Sequence, residues 1–361
     1  MKIEEKDYSN EQFKNYLLEH AKEIFDVGNG RHTWLKIYSL LVADDSWKKT
    51  LFNKEEIKQL GEIFKAKLID TDDYGEEHTT IYYICEEQKG LLLLYTNANK
   101  EDYENSLGKR IEKTRGVTKM WINPTLFRAF WNGILDDTKG YIYKFSGNRG
   151  YINETSARIR PNFERRIIYT GKDAGQALEE IIELYGIAPY TVSIRASENL
   201  KLKITNDGLY SAQEASSEAL ELFYKHFEPN KKPILSMSNI SKSFKFNVVE
   251  ETQTKLKVPS ISAGIIELKG VEIDEETIKE LTKRLENFSF LDTHTEIGSL
   301  SFTSTVIDEL KGSVFDISAS GTQILIVPKA RATFESFIEF YKSVVEEIDH
   351  TAELAVVNGS N

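Results

Sequence analysis

Apolar residues recur at helical intervals in the first part of the chain. Residues 10–25 carry apolar side chains three and four positions apart, which predicts an amphipathic helix. The stretch 33–42 predicts a second, more apolar helix. Asn53 is placed to cap a third helix over residues 54–67, with Glu56 at the capping-box position. The first seventy residues or so are therefore predicted to form three helices.

Two strand-like runs, residues 79–85 and 90–96, follow these helices and are joined by a polar turn. Three helices followed by a two-stranded wing is the element order of a winged helix. Residues 1–100 are therefore predicted to form a helical, winged-helix-like domain. The predicted recognition helix carries acids as well as bases, and an acidic domain of this kind binds protein more often than DNA.

Residues 101–150 mix both types of element. The pattern predicts a helix, a short strand, a second helix that begins at Pro124, and another strand. Proline is favoured at the first position of a helix because it lacks an N–H that would go unpaired there. The predicted ranges are 101–114, 117–122, 124–135 and 140–145.

The second half of the chain shows one predicted element order twice, strand-helix-strand-strand-helix. The ranges are 165–169, 174–185, 191–196, 200–205 and 217–227, then 264–273, 275–288, 300–307, 313–327 and 333–348. Side chains do not match between the two units, so they share element order alone. A polar stretch at 229–232 is the best linker. The predicted fold class is α+β, with domains at 1–100, 101–232 and 233–361.

Composition narrows the class of protein. A chain of 361 residues exceeds what one hydrophobic core usually organises, and 40% apolar with 29% charged residues is typical of folded domains. Cys85 is the single cysteine, which excludes a disulfide framework and a cysteine zinc cage within one chain. The longest apolar stretch is far shorter than the roughly 20 residues that span a bilayer. With a charged N-terminus and no secretory signal, we expect a cytoplasmic protein without membrane contact.

Charge is distributed unevenly along the chain. Residues 105–172 contain 14 Lys and Arg against 5 Asp and Glu, although the whole protein has a formal charge of −11. A basic segment in an acidic chain indicates an anionic partner, and arginine suits phosphate contacts. The residues predicted to hold a nucleic-acid backbone are Lys109, Arg110, Lys113, Arg115, Lys119, Arg149, Arg158, Arg160, Arg165 and Arg166.

Aromatic side chains lie between these cations, and exposed ones could stack on unpaired bases. They are Trp121, Trp131, Tyr141, Tyr143, Phe145, Tyr151 and Phe163. The alternative is that the aromatics belong to the core and that the basic side chains pair with the acidic flanking segments. Helix 124–135 favours this alternative for its own aromatics, because two apolar stripes at i, i+4 spacing are typical of a buried helix.

Two short motifs bear on catalysis. Glu267-Leu268-Lys269, on a predicted strand, resembles the second half of the PD-(D/E)xK nuclease signature. That resemblance implies acids that hold Mg²⁺ and a lysine that orients or activates water. The family also needs an acid on the preceding strand, and the acids available upstream, Glu250, Glu251 and the more distant Asp207, are not in a Pro-Asp context. Asp292, His294 and Glu296 would share one face of a strand and could bind a divalent metal together with a further ligand. A polar strand face is the favoured interpretation of both motifs.

The sequence therefore favours a non-enzymatic nucleic-acid-binding subunit of a larger prokaryotic assembly, such as a mobile-element or antiviral defence system. Its expected partners are a DNA or RNA backbone and other proteins, and no cofactor, catalytic residue or metal site is expected. One alternative is a protein–protein scaffold with a basic docking surface. The other is a Mg²⁺-dependent PD-(D/E)xK-like nuclease that uses Glu267 and Lys269.

Overall fold

A computed structural model gives the fold for most of the chain. The residues that it describes are 3–25, 35–71, 77–149, 165–214, 216–242, 246–251, 254–259, 264–285, 287–296, 301–329 and 332–356.

Up to residue 149 the elements alternate between helices and strands in irregular order. They are α1 (Asn10–Phe25), β1 (Leu35–Val42), α2 (Trp47–Leu51), β2 (Ile57–Leu60), β3 (Ile63–Thr71), β4 (Glu77–Gln88), β5 (Leu91–Thr96), α3 (Lys100–Tyr103), a π-helical turn (Glu104–Gly108), α4 (Lys109–Lys113), β6 (Val117–Lys119), α5 (Pro124–Thr138) and β7 (Tyr141–Arg149).

The later part of the chain contains longer helices that separate groups of strands. The elements are β8 (Arg165–Thr170), α6 (Ala174–Tyr185), β9 (Ala188–Arg195), β10 (Lys201–Thr205), β11 (Leu209–Ala212), α7 (Ser217–Lys242), β12 (Phe246–Glu251), β13 (Thr254–Pro259), β14 (Gly264–Glu267), α8 (Glu275–Arg284), β15 (Phe288–Glu296), β16 (Ser301–Asp308), β17 (Ser313–Ser320), β18 (Gln323–Pro328), α9 (Phe334–Glu347) and β19 (Glu353–Val356).

Eleven described strands form one large antiparallel sheet. Its order is β2-β3-β4-β5-β1-β11-β10-β9-β7-β8, with β6 also paired to β1. A six-stranded sheet has the order β15-β16-β17-β18-β14-β19, and β12 pairs with β13 separately. Helices combined with antiparallel sheets confirm the predicted α+β class. The predicted boundary near residue 100 falls at the start of α3, with strands of the large sheet on both sides of it, and that at residue 232 falls inside α7.

The winged-helix prediction is wrong, because strands stand where two of its three helices were expected. Residues 35–42 form β1, which is buried at every position except Lys36. An uninterrupted apolar run fits a buried helix and a central strand equally well, and pairing with β5 and β11 selects the strand. Residues 57–71 form the hairpin of β2 and β3, which turns at Gly61. Gly61 has a φ of +69°, and a Cβ there would meet the backbone of Tyr8.

The predicted repeat of strand-helix-strand-strand-helix is also inexact, because each unit contains strands that the prediction lacks. The first unit contains an additional strand, β11, and the second contains the additional strand β15. The stretch 313–327 is two strands rather than one, because the chain turns between Ser320 and Gln323 at Gly321, whose φ is +57°. Glycine is a common turn residue, so Gly321 is the sequence signal of this tight hairpin that the prediction of a single strand overlooks.

Two hydrophobic layers cover the large sheet. Helices α1, α5, α6 and α7 pack on one face, and their core includes Phe127, Phe130 and Trp131 of α5, as its apolar stripes predict. On the opposite face, α2 and the segment from α3 to α4 cover the end formed by β1 to β5. Helices α8 and α9 pack against the six-stranded sheet. None of the described helices is long and apolar enough to cross a membrane.

A buried ionic contact joins α1, β4 and α7. The Glu87 side chain of β4 is 5% exposed and pairs with Lys14 of α1 at 2.6 Å and with Lys231 of α7. Burial alone would raise the pKa of the Glu87 carboxyl, but the hydrogen bonds from the two lysines outweigh it, and the pKa is lowered. Ionised Glu87 therefore stabilises the folded state above its ordinary pKa, and this contribution is lost as the pH falls through the lowered value.

We predict that Glu87→Gln lowers the unfolding midpoint at pH 7, because breaking a buried pair leaves uncompensated charge at a cost of about 3–5 kcal/mol. The variant should also lose less stability than the wild type when the pH falls below 4.5, the ordinary pKa of this group. Thermal unfolding followed by circular dichroism measures both effects. Glu86→Gln, the neighbouring charge change, is the control, and equal midpoints for the two variants would contradict the prediction.

Candidate nucleic-acid interface

A row of polar side chains crosses the large sheet on the face opposite to α1, α5, α6 and α7. Leu202, Ile204 and Val192 point into the core beneath the helices, so alternation places Lys203 and Ser193 on the opposite face. The strand register extends this row over six strands in order. Its members, from β1 to β8, are Lys36, Ser211, Lys203, Ser193, Lys144 and Thr170.

The lysines of this row occupy alternate strands. Neighbouring strands are about 4.8 Å apart, so each lysine of the row starts about 10 Å from the next one, with a hydroxyl side chain between them. An adjacent row adds Lys201, Arg195 and Tyr141. We call this surface the basic sheet face. It comprises Lys36, Tyr141, Lys144, Arg166, Ile168, Thr170, Ser193, Arg195, Lys201, Lys203 and Ser211.

The cations of the basic sheet face lack acidic partners on it. Among the described residues, Lys144, Lys201 and Lys203 form no ion pair, and the buried Arg195 Nε has no hydrogen-bond acceptor. Lys36 is partly buried and donates to the Ala98 carbonyl. Burial lowers the pKa of Lys36 from 10.5 to about 8, with Asp102 opposing the change and Lys203 adding to it. Lys144, Lys201 and Lys203 therefore present positive charge that no acid among the described residues pairs with.

Apolar and aromatic groups are exposed beside these cations. Ile168 is 61% exposed and Tyr141 is 38% exposed. At the β8 edge, the Arg166 Nε donates to the Tyr190 hydroxyl at 3.2 Å, and the guanidinium lies 6.0 Å from the centre of that ring. Exposed rings and alkyl groups between cations are the features that accept unpaired bases.

Of the predicted site residues, Arg166 lies on the basic sheet face. Lys119 of β6 is on the same side of the sheet, where it lies 5.7 Å from the centre of the Tyr103 ring and 4.0 Å from Asp207. Arg165 is on the other side, because adjacent residues of a strand alternate, and it packs 4.8 Å from the centre of the Tyr185 ring.

The remaining predicted residues are dispersed. Arg110 forms a two-pronged pair with Glu56, at 2.7 and 2.8 Å, and Arg115 donates to the Lys311 carbonyl at 3.0 Å. Lys109 and Lys113 are exposed on α4. Arg149 ends β7 opposite Arg165 in the register, and Arg158 and Arg160 lie outside the described residues, so their role stays a prediction.

The principal cations of the face are not among the predicted site residues. In the sequence, Lys36 lies far before the basic segment (residues 105–172), whereas Arg195, Lys201 and Lys203 lie after that segment. One signal was available, since Lys201-Leu202-Lys203 alternates within a predicted strand and so places both lysines on one face. Of the interleaved aromatics, Trp121, Trp131 and Phe145 are buried, as the core interpretation predicts for them, and Tyr151 and Phe163 lie outside the described residues.

The two catalytic motifs lie on the C-terminal sheet. Lys269 pairs with Glu267 at 2.7 Å and approaches Glu353, the cross-strand neighbour of Glu267, at 3.6 Å. The hydrogen bond to Glu267 raises the pKa of Lys269, so the amine stays protonated and is unsuited to accept a proton from water.

The second motif does not present one regular face. A β-bulge falls between Leu291 and His294, and Asp292 has a φ of +49°, so the alternation that would align Asp292 with His294 is interrupted. Within the described part of the chain, no group of three or more His, Cys, Asp or Glu could hold a metal ion.

Comparisons with known proteins bear on the same region. The family model AF_0896_M, described as a family middle domain, matches residues 136–207 of this chain. This stretch supplies most of the basic sheet face. An uncharacterized protein of Archaeoglobus fulgidus is 23% identical over 279 residues, which are 73% of this chain and 74% of that protein. No solved structure matches the chain significantly.

We predict that Arg110 acts in stability. Its guanidinium also donates to the Leu51 carbonyl, and its hydrogen bond is the main cause of the lowered pKa of Glu56. Arg110→Gln should lower the free energy of unfolding by on the order of 2 kcal/mol, the value of charged hydrogen bonds that are partly shielded from water. Denaturant unfolding measures this loss. Lys113→Gln on the same helix is the matched control, and equal stability of both variants would refute the assignment.

Proposed function

We propose that the protein is a non-enzymatic nucleic-acid-binding subunit of a larger prokaryotic assembly and that it holds a phosphate backbone across the basic sheet face. The observation that carries this proposal is the row of Lys36, Lys203 and Lys144 on alternate strands, without acids between them. Thr170, whose hydroxyl is exposed at the β8 end of the same row, can donate to a phosphate oxygen, as such side chains commonly do.

The composition of the face favours single strands as the ligand. Tyr141 lies in the row of Arg195 and Lys201, so a base stacked on its ring would leave the adjacent phosphates near both cations. In a duplex the bases are already stacked on each other, so none of them can stack on the Tyr141 ring. An open sheet face with exposed aromatics and flanking cations is a known way to bind unpaired nucleotides.

The proposal predicts that removing Lys144, Lys201 and Lys203 together, as glutamines, weakens single-strand binding at least about tenfold at low salt. Because each neutralised phosphate releases counterions, the slope of log K against log salt should fall by about 0.7 per lost contact, or about 2 in all. Fluorescence anisotropy with labelled DNA and RNA, single- and double-stranded, measures both quantities.

The matched control carries the same charge change elsewhere. Lys22 on α1, Lys89 in the β4–β5 turn and Lys283 on α8 are exposed, and their replacement by glutamine also removes three positive charges. This variant should bind as the wild type does. If the two triple variants lose affinity equally, binding reflects overall charge and the proposed interface is wrong.

The pKa of Lys36 gives a second prediction. With a value of about 8, Lys36 is protonated at pH 7 and mostly neutral at pH 9, whereas ordinary lysines keep their charge. Single-strand affinity of the wild type should therefore fall several-fold between these pH values. Lys36→Arg should remove the pH dependence, because arginine stays charged. A wild-type affinity that is constant from pH 7 to 9 would exclude Lys36 from the interface.

The same titrations separate the alternative functions. Cleavage of the labelled strands in Mg²⁺, abolished by Glu267→Gln, would establish the nuclease that the Glu267 motif suggests. Absence of binding to every nucleic acid at low salt would favour the scaffold, in which the basic sheet face docks on an acidic protein.

A further inference from the structure

A cavity of about 590 Å³ lies where the large sheet meets α9. Its walls come from α4, β6 and the β10–β11 turn on one side, and from the β16–β17 turn and α9 on the other. Three contacts hold the two sides together. The Gly116 N–H donates to Glu335 Oε1 at 2.7 Å, Arg115 donates to the Lys311 carbonyl, and the Lys311 amine donates to the Glu112 carbonyl. This volume is in the range of cavities that hold small molecules.

Acids outnumber lysines around the cavity. Its ionisable lining residues are Glu112, Lys119, Asp207, Asp308, Lys311, Glu335, Glu339 and Lys342. Each of the three lysines already has an oxygen partner: Lys119 lies 4.0 Å from Asp207, Lys311 bonds a carbonyl, and Lys342 lies 3.3 Å from Glu339. The lysines are therefore committed to the protein, and an anionic ligand is disfavoured.

Glu335 is the polar group that the surrounding protein leaves incomplete. The residue is 4% exposed, and its Oε2 has no hydrogen-bond donor among the described residues, although Oε1 accepts from Gly116. A buried carboxylate oxygen without a donor is costly. A positively charged N–H group that enters from the cavity would satisfy it.

The residues that line the cavity indicate which class of cation would fit it. The described residues offer no group of three or more acids, histidines or cysteines that could hold a metal ion. Besides Thr118 and Asn287, the remaining lining residues are apolar, namely Ile111, Val117, Met120, Trp121, Leu310 and Ile338. Glu335 and Glu339 are one helical turn apart, about 6 Å along the axis of α9. Alkyl segments between separated ammonium groups match this alternation of apolar wall and spaced carboxylates.

We propose that this cavity binds an aliphatic polyamine, with one ammonium group on Glu335 Oε2, a second toward Glu339, and the alkyl chain against Val117 and Ile338. The proposal is independent of the basic sheet face. An occupant would contact both sides of the junction at once, so it would also stabilise the docking of α9 against β6.

Spermidine, without nucleic acid, is the probe for this site. Isothermal titration calorimetry should show saturable binding to the wild type, and thermal unfolding should show a midpoint that rises with spermidine concentration. Glu335→Gln keeps an oxygen for the Gly116 N–H but removes the charge, so it should bind about tenfold more weakly or worse. Glu339→Gln should weaken binding to a smaller extent, since its carboxylate is shared with Lys342.

Glu272→Gln is the control, because Glu272 is exposed and does not line the cavity. It should bind spermidine as the wild type does. Equal affinity in all three variants would show general adhesion to an acidic protein and overturn the proposal, as would the absence of heat and of any midpoint shift up to millimolar spermidine. If Glu335→Gln does not fold, Glu339→Gln against Glu272→Gln decides the question.

Discussion

The pairing of β1 with three other strands is the constraint on which the large sheet depends. Residues 36–41 pair with β5, residues 35–38 pair with β11, and residues 40–42 pair with β6. These partners are far apart in sequence, so the pairing of β1 is complete only when the chain from β1 to β11 has folded. Without β1, the strands that carry the basic sheet face would have no connection through the sheet to β2–β5.

Strand β1 contributes side chains to both hydrophobic layers and to the basic sheet face. Ile37 and Leu41 point toward the layer of α1 and α7, whereas Leu40 and Val42 point toward α2 and α4. Lys36 lies at the start of β1, where the second layer ends, and so reaches the basic sheet face. A shift of the register by one residue would bury Lys36 and expose Ile37, which is why a strand with two buried faces tolerates a single pairing.

Local signals predicted the fold where they did not compete with long-range pairing. Helices α5, α6 and α9 lie within a few residues of their predicted ranges, and Asn123 and Asp274 cap α5 and α8 through their side chains. At Asn53 the local signal was present but insufficient. The Asn53 N–H does bond to Glu56, as a capping box requires, but one turn later the chain enters β2, because residues 57–60 pair with β3. Sequence neighbours could not reveal that pairing.

The candidate site shows why the density of charge along the sequence is a weak guide to a binding surface. Arg110 and Arg115 belong to the basic segment, yet both bond to groups within the protein. Lys36 and Lys203 lie outside it, yet they flank Ser211 in one row because β1 and β10 both pair with β11. A cation beside an acid in a half-buried position contributes to folding, whereas Lys203, which forms no ion pair among the described residues, stays available to a ligand. Strand register therefore brings Lys36 and Lys203 into one row, which charge density along the sequence does not reveal.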